Sequence, residues 1–140
     1  MKLTEHFTLE ELIKSSTAKA KKIDNTPTQA AKTNLQHLAS NILEPIRLKY
    51  GKPIIVTSGY RSMALNKAVG GSKTSQHLLG QAADIKASQN ENKALFKLIE
   101  KMVKDGEIQV GQLIDEYGYK WIHVSLPRAN KPNNQILHLS

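Results

Sequence analysis

The chain contains no cysteine, and long hydrophobic runs are absent too. Without cysteine there are no thiolate metal sites, no disulfide bonds and no cysteine nucleophile, although the redox compartment stays open. No run approaches the ~18 apolar residues that span a bilayer. The first residues, MKLTEHFTLEEL, lack the apolar segment of about 7–15 residues that a signal peptide needs. We therefore expect no membrane insertion, and synthesis in the cytoplasm without a signal peptide.

Internal repeats, low-complexity segments and a flexible linker are also missing, so the 140 residues are expected to form one domain, 1–140. Lysine and arginine number 20 against 12 acidic residues, which gives a formal charge of +8. Such a charge favours contact with nucleic acid, a membrane surface or a bacterial wall, but a solvated basic surface explains it equally well. The basic residues are spread along the chain without a known binding motif, so no nucleic-acid partner is expected.

Three capping patterns predict where helices begin. Thr8–Glu11 fits a capping box and starts a short helix that ends near Ile13. Thr26–Gln29 has threonine at the N-cap, proline at the first helical position and glutamine at the third. Ser88–Glu91 fits a further capping box, for a helix that ends near Lys104. Apolar residues recur every three or four positions behind the second and third patterns, as amphipathic helices require.

The helix that starts behind Thr26 is expected to be long but interrupted. Pro45 should kink it or start a new segment, because proline lacks the amide hydrogen. Gly51 is the expected left-handed residue at its carboxyl end. Residues 15–25 show no clear period and are predicted as a loop with a helical turn. Residues 59–69 are predicted as a loop with a short helix.

Five segments are predicted as strands, because β-branched residues or alternating apolar residues dominate them. They are residues 52–58, 82–86, about 110–116, 121–126 and 136–139. Helices precede most of these strands. This order favours an α+β fold, with a central and mostly antiparallel sheet against which the helices pack.

Two histidines and one carboxylate form a candidate metal site. His77 and Asp84 lie seven residues apart around Gly80, and His123 lies in the later segment WIHVS. Two imidazoles and a carboxylate suit catalytic zinc, which takes three protein ligands and leaves the fourth position for water. Gly80 supplies the backbone freedom for a turn between the first two ligands. Each residue taken alone also fits an ordinary structural role, so the spacing leaves both interpretations open.

The segment WIHVS has two unlike faces, because side chains alternate along a strand. Trp121, His123 and Ser125 point to one face, and aliphatic residues point to the other. The aliphatic face predicts core packing. The face with tryptophan, histidine and serine is typical of a substrate groove, which makes Trp121 a candidate substrate contact.

The ligand segment matches the pattern Ser-x-His-x-x-Gly-x-Ala-x-Asp, from Ser75 to Asp84. This pattern resembles the zinc-site signature of the D-Ala-D-Ala carboxypeptidase and phage endolysin family. That family shares its fold with the vancomycin-resistance D,D-dipeptidases and the amino-terminal domain of Hedgehog. The segments SGYRS, LNKAVGGSKTSQH and WIHVS are also similar to members of the family. The resemblance covers about residues 7–125 and implies a Hedgehog/DD-peptidase-like fold.

Roles for individual residues follow from this resemblance. It implies that His77, Asp84 and His123 hold Zn²⁺. It also implies that Arg61 binds or polarises the substrate near the scissile bond, a task that suits the planar donors of a guanidinium group. The alternative for Arg61 is an ordinary surface arginine. Ser75 is a candidate for a hydrogen bond to substrate or to a ligand, and shaping the turn is its alternative role.

A general base completes such a site, because zinc lowers the pKa of its bound water to about 7 and a carboxylate can then take the proton. Many relatives place this acid two or three residues before the last histidine, where this chain has tryptophan and lysine. If residues 117–120 form a hairpin loop, Glu116 pairs with Trp121 and shares the face of His123. A loop different by one residue puts Asp115 opposite His123 instead. We favour Glu116 and keep Asp115 as the alternative.

These observations favour a zinc metallopeptidase that hydrolyses peptide bonds of peptidoglycan stem peptides, as a D-Ala-D-Ala carboxypeptidase or an endolysin-type endopeptidase. We expect a monomer whose partner is the peptidoglycan peptide. The missing signal peptide fits a phage or prophage enzyme that another factor releases to the cell wall. One alternative is a catalytically silent, zinc-dependent wall-binding module. Another is a basic nucleic-acid-binding domain in which the histidines are incidental.

Overall fold

The computed structural model describes residues 1–139. Within this range the helices are α1 (Leu9–Ile13), α2 (Ser16–Lys21), α3 (Gln29–Leu38), α4 (Glu44–Tyr50), α5 (Met63–Ala68) and α6 (Asn92–Lys104). A π-helical turn (Ala39–Leu43) and a 3-10 turn (Gln76–Leu79) supplement them. The strands are β1 (Ile54–Ser58), β2 (Ala82–Ala87), β3 (Gln112–Glu116), β4 (Trp121–Ser125) and β5 (Gln135–Leu139).

The strands form one sheet in the order β1-β2-β4-β3-β5. The pairs β1–β2, β2–β4 and β3–β4 are antiparallel. Strand β5 runs parallel to β3 at the edge. The prediction of an α+β fold with a mostly antiparallel sheet is therefore confirmed.

Helix α1 begins as the sequence predicts. The hydroxyl of Thr8 accepts a hydrogen bond from the Glu11 amide, and the Glu11 carboxylate accepts one from the Thr8 amide. These two bonds satisfy backbone donors that the first turn of a helix leaves without intrahelical partners. The short helix then buries Leu9 and Leu12.

The predicted start of α3 was wrong by two residues. Thr26 is not the N-cap, because its amide and hydroxyl both donate to the Asp24 carboxylate. Thr28 caps the helix instead, and its hydroxyl accepts from the Ala31 amide at 3.1 Å. The Thr26 hydroxyl is thus engaged in a local Asx-type turn with Asp24. It is therefore not free to cap the helix.

Pro45 interrupts the long helix as predicted. The π-helical turn precedes it, and the Glu44 amide bonds to the Ala39 carbonyl across this wider turn. Such a turn gives the backbone alternative hydrogen-bond partners next to proline, which has no amide hydrogen to donate. Helix α4 continues to Gly51, whose φ of 78° gives the predicted left-handed end.

The predicted capping box at Ser88 does not form. Helix α6 starts after Glu91, whose side chain makes no capping bond. The Glu91 carboxylate instead accepts hydrogen bonds from the Tyr50 hydroxyl at 2.7 Å and the Lys52 ammonium at 2.9 Å. These contacts from a distant part of the chain draw the carboxylate away from the helix start.

The region predicted as a loop with a helical turn contains α2. Ser15 caps this helix by accepting from the Ala18 amide, and Lys22 ends it in a left-handed conformation with a φ of 54°. Only Ala18 is buried. The helix therefore gives almost no apolar periodicity from which it could be predicted.

The hydrophobic core lies between the helices and one face of the sheet. Helix α6 contacts β2, β3 and β4. Fully buried members of the core include Leu35, Ile42, Ile46, Ile85, Ile99, Ile122 and Val124. Among residues 1–139, none of the helices is long and apolar enough to cross a bilayer. The opposite face of the sheet carries the candidate site.

Candidate metal centre

Asp84 and His123 lie directly opposite each other on the neighbouring strands β2 and β4. Their chain neighbours Ala83, Ile85, Ile122 and Val124 belong to the core cluster. Because side chains alternate along a strand, Asp84 and His123 are carried on the face away from that cluster. Strand pairing thus brings together two side chains that are 39 residues apart in the sequence.

His77 reaches the same point from the 3-10 turn before β2. The Ser75 hydroxyl caps this turn by accepting from the His77 amide at 3.1 Å. Gly80 ends it with a φ of 72°. A Cβ atom at Gly80 would lie 2.6 Å from the Ala31 carbonyl oxygen, so both the left-handed backbone and the packing on α3 favour glycine.

The His77 ring has a fixed orientation. Its Nδ1 atom lies 2.7 Å from the carbonyl oxygen of Gly59. A carbonyl oxygen only accepts, so Nδ1 carries the proton and Nε2 offers its lone pair. Nε2 faces Asp84, with 3.4 Å between it and Oδ1. A histidine held in this way by a backbone carbonyl is typical of metal sites.

The three candidate ligands have the spacing that one metal ion requires. One possible ligand atom from each of His77, Asp84 and His123 lies within 4.8 Å of the other two. His123 Nδ1 is 3.0 Å from Asp84 Oδ1. Ligand atoms of a tetrahedral zinc ion, with bonds of about 2.0–2.1 Å, lie about 3.3 Å apart. The donor set and its spacing therefore fit zinc.

Asp84 is held in its ionised form. Burial alone would raise its pKa, but the interactions of the carboxylate with His123 and His77 outweigh burial. The result is that the pKa of Asp84 lies well below its usual range. A buried carboxylate that stays anionic suits a cation ligand.

Arg61 lies beside this group. Its Nε atom donates to the Ser58 hydroxyl at 3.2 Å, and Nη1 donates to Asn66 Oδ1 at 3.2 Å. Its Nη2 atom is 3.7 Å from Asp84 Oδ2. The backbone amide of Arg61 also donates to the His77 carbonyl at 3.0 Å. The arginine predicted at the site is therefore anchored to it rather than lying on an open surface.

Asn66 is a part of the site that the sequence analysis missed. It is buried, and its amide nitrogen donates to the Ser72 carbonyl while its oxygen accepts from Arg61. Gly71 lies against both side chains, since a Cβ there would overlap Asn66 Oδ1 and come within 2.9 Å of Arg61 Nη1. The segment LNKAVGG showed a resemblance, but nothing in it assigned these contacts.

An open cleft of about 380 Å³ surrounds the candidate ligands. Glu116 and Trp121 line it with them, and the two residues are paired across β3 and β4 as the hairpin prediction had it. The indole Nε1 of Trp121 donates to Glu116 Oε2 at 3.1 Å. Ser75 also lines the cleft. The residues predicted to bind substrate or transfer protons thus share one cavity with the candidate ligands.

Asp115, the alternative base, lies outside this cleft. It is opposite Ile122, the core-facing neighbour of His123. Its carboxylate accepts from the Tyr119 amide at 2.6 Å and contacts His138 Nδ1 at 3.1 Å. The register therefore separates the two acids, with Glu116 on the ligand side and Asp115 on the other.

Arg128 is a further lining residue that the sequence analysis missed. It follows β4 in the segment LPRANKPNNQ, where no motif marks it. Its approach to the cleft depends on how the chain leaves the sheet. That path is a long-range feature of the fold, so no local sequence signal was available.

Comparison with known families gives one finding. A family model described as Peptidase M15 matches residues 5–125 of the 140. The matched region contains the three candidate ligands together with Arg61 and Glu116. No curated protein matches the chain.

Proposed function

The chain belongs to the peptidase M15 family, and from that premise we propose that it hydrolyses peptide bonds of peptidoglycan stem peptides with a zinc ion as cofactor. Membership supports a peptidase of the zinc metallopeptidase kind. The observation that carries the proposal is the shared cleft, in which His77, Asp84 and His123 lie with an acid, Glu116, and an anchored cation, Arg61.

A zinc ion held by the three ligands would polarise the scissile carbonyl and lower the pKa of a water to about 7. In the proposed reaction Glu116 accepts the proton of the attacking water and passes it to the leaving amine. The Trp121 indole engages one Glu116 oxygen, Oε2, and orients the carboxylate. No hydrogen bond within residues 1–139 engages Oε1, which is therefore the oxygen available for proton transfer.

In the proposed reaction Arg61 stabilises the negative charge of the transition state. As negative charge develops on the carbonyl oxygen, the guanidinium donates hydrogen bonds to it. Ser58 and Asn66 already hold the group in place, so little reorganisation is needed at the moment of reaction. Such preorganised donors commonly contribute about 100- to 1,000-fold in rate.

The proposal extends to where the protein works. A formal charge of +8 supports adsorption to a negatively charged cell wall, where the substrate lies. The bond that is cut is either the terminal D-Ala-D-Ala link or an internal bond of the stem peptide. The monomeric state stays a prediction.

The first test is metal content, followed by digestion of purified peptidoglycan. We expect about one zinc per wild-type chain by mass spectrometry, and loss of that zinc in His77→Ala. Digestion should release peptide fragments from the wall with wild-type protein but not with the variant. Zinc binding without any cleavage would instead support the catalytically silent wall-binding module.

The role of Glu116 is tested by a pair of neighbouring substitutions. Glu116→Gln should retain zinc and lose about 1,000-fold or more of the activity, because glutamine cannot transfer the proton. Asp115→Asn is the matched control, since it removes an adjacent carboxylate on the other face and should retain activity. Normal turnover in Glu116→Gln would contradict the assigned role.

A further inference from the structure

Arg128 brings a positive charge to the cleft without a visible partner. It is half-buried and lines the same cavity as the candidate ligands. Within residues 1–139, no carboxylate lies within 4.0 Å of its guanidinium nitrogens and no hydrogen bond engages them. By contrast, Arg61 makes contacts with Ser58, Asn66 and Asp84.

Four other cleft side chains with nitrogen donors already make hydrogen bonds within the protein. Their acceptors are the Asn66 side chain for Arg61, the Leu126 carbonyl for Gln76, the Gln135 side chain for Gln112 and the Glu116 carboxylate for Trp121. A substrate that enters the cleft therefore meets two guanidinium groups, Arg61, whose Nε and Nη1 atoms are engaged, and Arg128, whose nitrogens make no hydrogen bond within residues 1–139. Arginine presents up to five N–H groups in a planar fork, which matches the two oxygens of a carboxylate.

The charge of the cleft points to an anionic ligand. Two arginines, Arg61 and Arg128, and two carboxylates, Asp84 and Glu116, line it, so their charges cancel. A bound divalent cation leaves an excess of positive charge. In a cleft such an excess attracts negatively charged substrates.

The backbone that carries Arg128 is tied to the ligand segment. The Leu126 amide donates to the Gln81 carbonyl at 2.8 Å, and the Leu126 carbonyl accepts from Gln76 Nε2 at 3.0 Å. Pro127 follows and restricts the chain before Arg128. The arginine is thus positioned by residues that flank His77, which is the arrangement a substrate-binding side chain needs.

We propose that Arg128 binds a carboxylate of the substrate, so that the protein prefers peptides with a free carboxylate close to the scissile bond. This inference rests on the proposed peptidase function. A bidentate arginine–carboxylate pair, with two parallel N–H···O bonds, supplies both affinity and orientation. Two parts of a peptide offer this group, the carboxyl terminus and an acidic side chain, and they are distinguished below.

The experiment compares two pairs of peptides with the zinc-loaded protein. The first pair is an acylated D-Ala-D-Ala peptide with a free carboxyl terminus and its C-terminal amide. The second is a stem peptide with an internal glutamate and its glutamine counterpart. We expect wild-type kcat/KM to favour the carboxylate member of one pair by about 10- to 100-fold. The pair that shows the preference identifies the source of the carboxylate.

The preference should disappear in Arg128→Gln, with zinc content unchanged. Arg128→Lys keeps the charge but not the planar fork, so a partial preference is expected. Lys131→Gln is the matched control, because it removes one positive charge from an exposed position of the same segment. This variant should keep the full preference.

Two results would overturn the inference. One is a wild-type protein that treats both members of each pair alike, and the other is an undiminished preference in Arg128→Gln. If the wild type cleaves no peptide, the proposed function fails. Affinities of the same four peptides, measured by calorimetry, then test the inference: wild type should prefer the carboxylate member of one pair, and Arg128→Gln should not. The two failures are therefore distinguishable.

Discussion

At the scale of single residues, Gly71 controls how closely the loop after α5 approaches Arg61. Its α-carbon faces Asn66 and Arg61, and no larger residue fits between them. The Gly71 amide also donates to the Asn66 carbonyl at 2.9 Å. The loop thus holds Asn66, and Asn66 holds the guanidinium group.

We predict that Gly71→Ala lowers kcat and leaves zinc content unchanged. The added methyl group must displace Asn66 or Arg61, because it would come within 2.9 Å of Arg61 Nη1. A misplaced oxyanion donor costs about 100-fold or more in rate. Steady-state kinetics with a peptidoglycan peptide and metal analysis of the same sample measure the two effects.

Gly70→Ala is the control for this prediction. Gly70 has a φ of +74° and open space around its α-carbon. Alanine there strains the backbone by roughly 1 kcal/mol without touching Arg61, so stability should fall while kcat is retained. Equal losses of kcat in both variants would assign the effect to the loop backbone and not to Arg61.

The sequence predicted side chains of the site better than it predicted what holds them. Asp84 and His123 fall inside predicted strands, a turn at Gly80 was predicted between His77 and Asp84, and the β3–β4 register brought Glu116 to their cleft. The support for these groups comes mainly from main-chain atoms and from distant loops. The Gly59 carbonyl that orients His77 is an example, since any residue has a carbonyl and no side chain marks its role.

At the scale of elements, Glu91 joins the end of α4 to the start of α6. Its carboxylate accepts from Tyr50 at 2.7 Å and from Lys52 at 2.9 Å. Partial burial raises the pKa of the Tyr50 phenol, and the hydrogen bond and negative charge of Glu91 raise it further, to about 12. The ordinary value for tyrosine is about 10.

This shift predicts a stability contribution that depends on pH. The unfolded chain loses the Tyr50 proton near pH 10, whereas the folded protein keeps it until about pH 12. The contribution is therefore fully present below about pH 10 and is lost as the pH rises through the interval to 12. Tyr50→Phe should be less stable than wild type by about 1 kcal/mol at pH 8, and the difference should shrink by pH 11.

Urea denaturation at pH 8, 10 and 11 measures this difference. Tyr117→Phe serves as the reference, because Tyr117 is exposed and makes no side-chain hydrogen bond within residues 1–139. Its difference from wild type measures the effect of removing an exposed hydroxyl that makes no such bond. A difference for Tyr50→Phe that stays constant with pH would show that the Tyr50 hydroxyl does not titrate differently in the folded state.

Element boundaries followed from the sequence where local contacts decide them. The Thr8 cap, the break at Pro45 and the left-handed Gly51 all depend on neighbours within five residues. The caps at Thr26 and Ser88 were mispredicted because other partners competed, the Asp24 carboxylate for Thr26 and two distant donors for Glu91. In the second case the competing partners of Glu91 lie about 40 residues away, beyond the reach of a capping pattern.

At the scale of the whole molecule, the candidate metal site connects parts of the chain that are distant in sequence. His77 lies in the turn before β2, Asp84 in β2 and His123 in β4. A ligand set of this kind is formed only when the sheet is paired and the turn is docked on α3. Metal that binds this set therefore binds the folded state, and by mass action it stabilises that state.

We predict that zinc raises the midpoint of thermal unfolding and that chelation reverses the rise. At a free zinc concentration 100 times the dissociation constant the gain is about 2.7 kcal/mol. For a chain of this size that corresponds to a shift on the order of 10 °C. Scanning calorimetry of metal-free, zinc-loaded and chelator-treated protein measures it.

Two controls separate the site from general metal effects. His123→Ala removes one ligand and should abolish most of the shift. Magnesium should produce little change in wild type, because it prefers oxygen ligands and the set offers two imidazoles. An equal zinc shift in His123→Ala would assign the stabilisation to other residues, and the metal centre would then lose its support from stability. A shift confined to the intact ligand set would tie the metal to the β2–β4 pairing of the same sheet whose β3–β4 pairing brings Glu116 into the cleft.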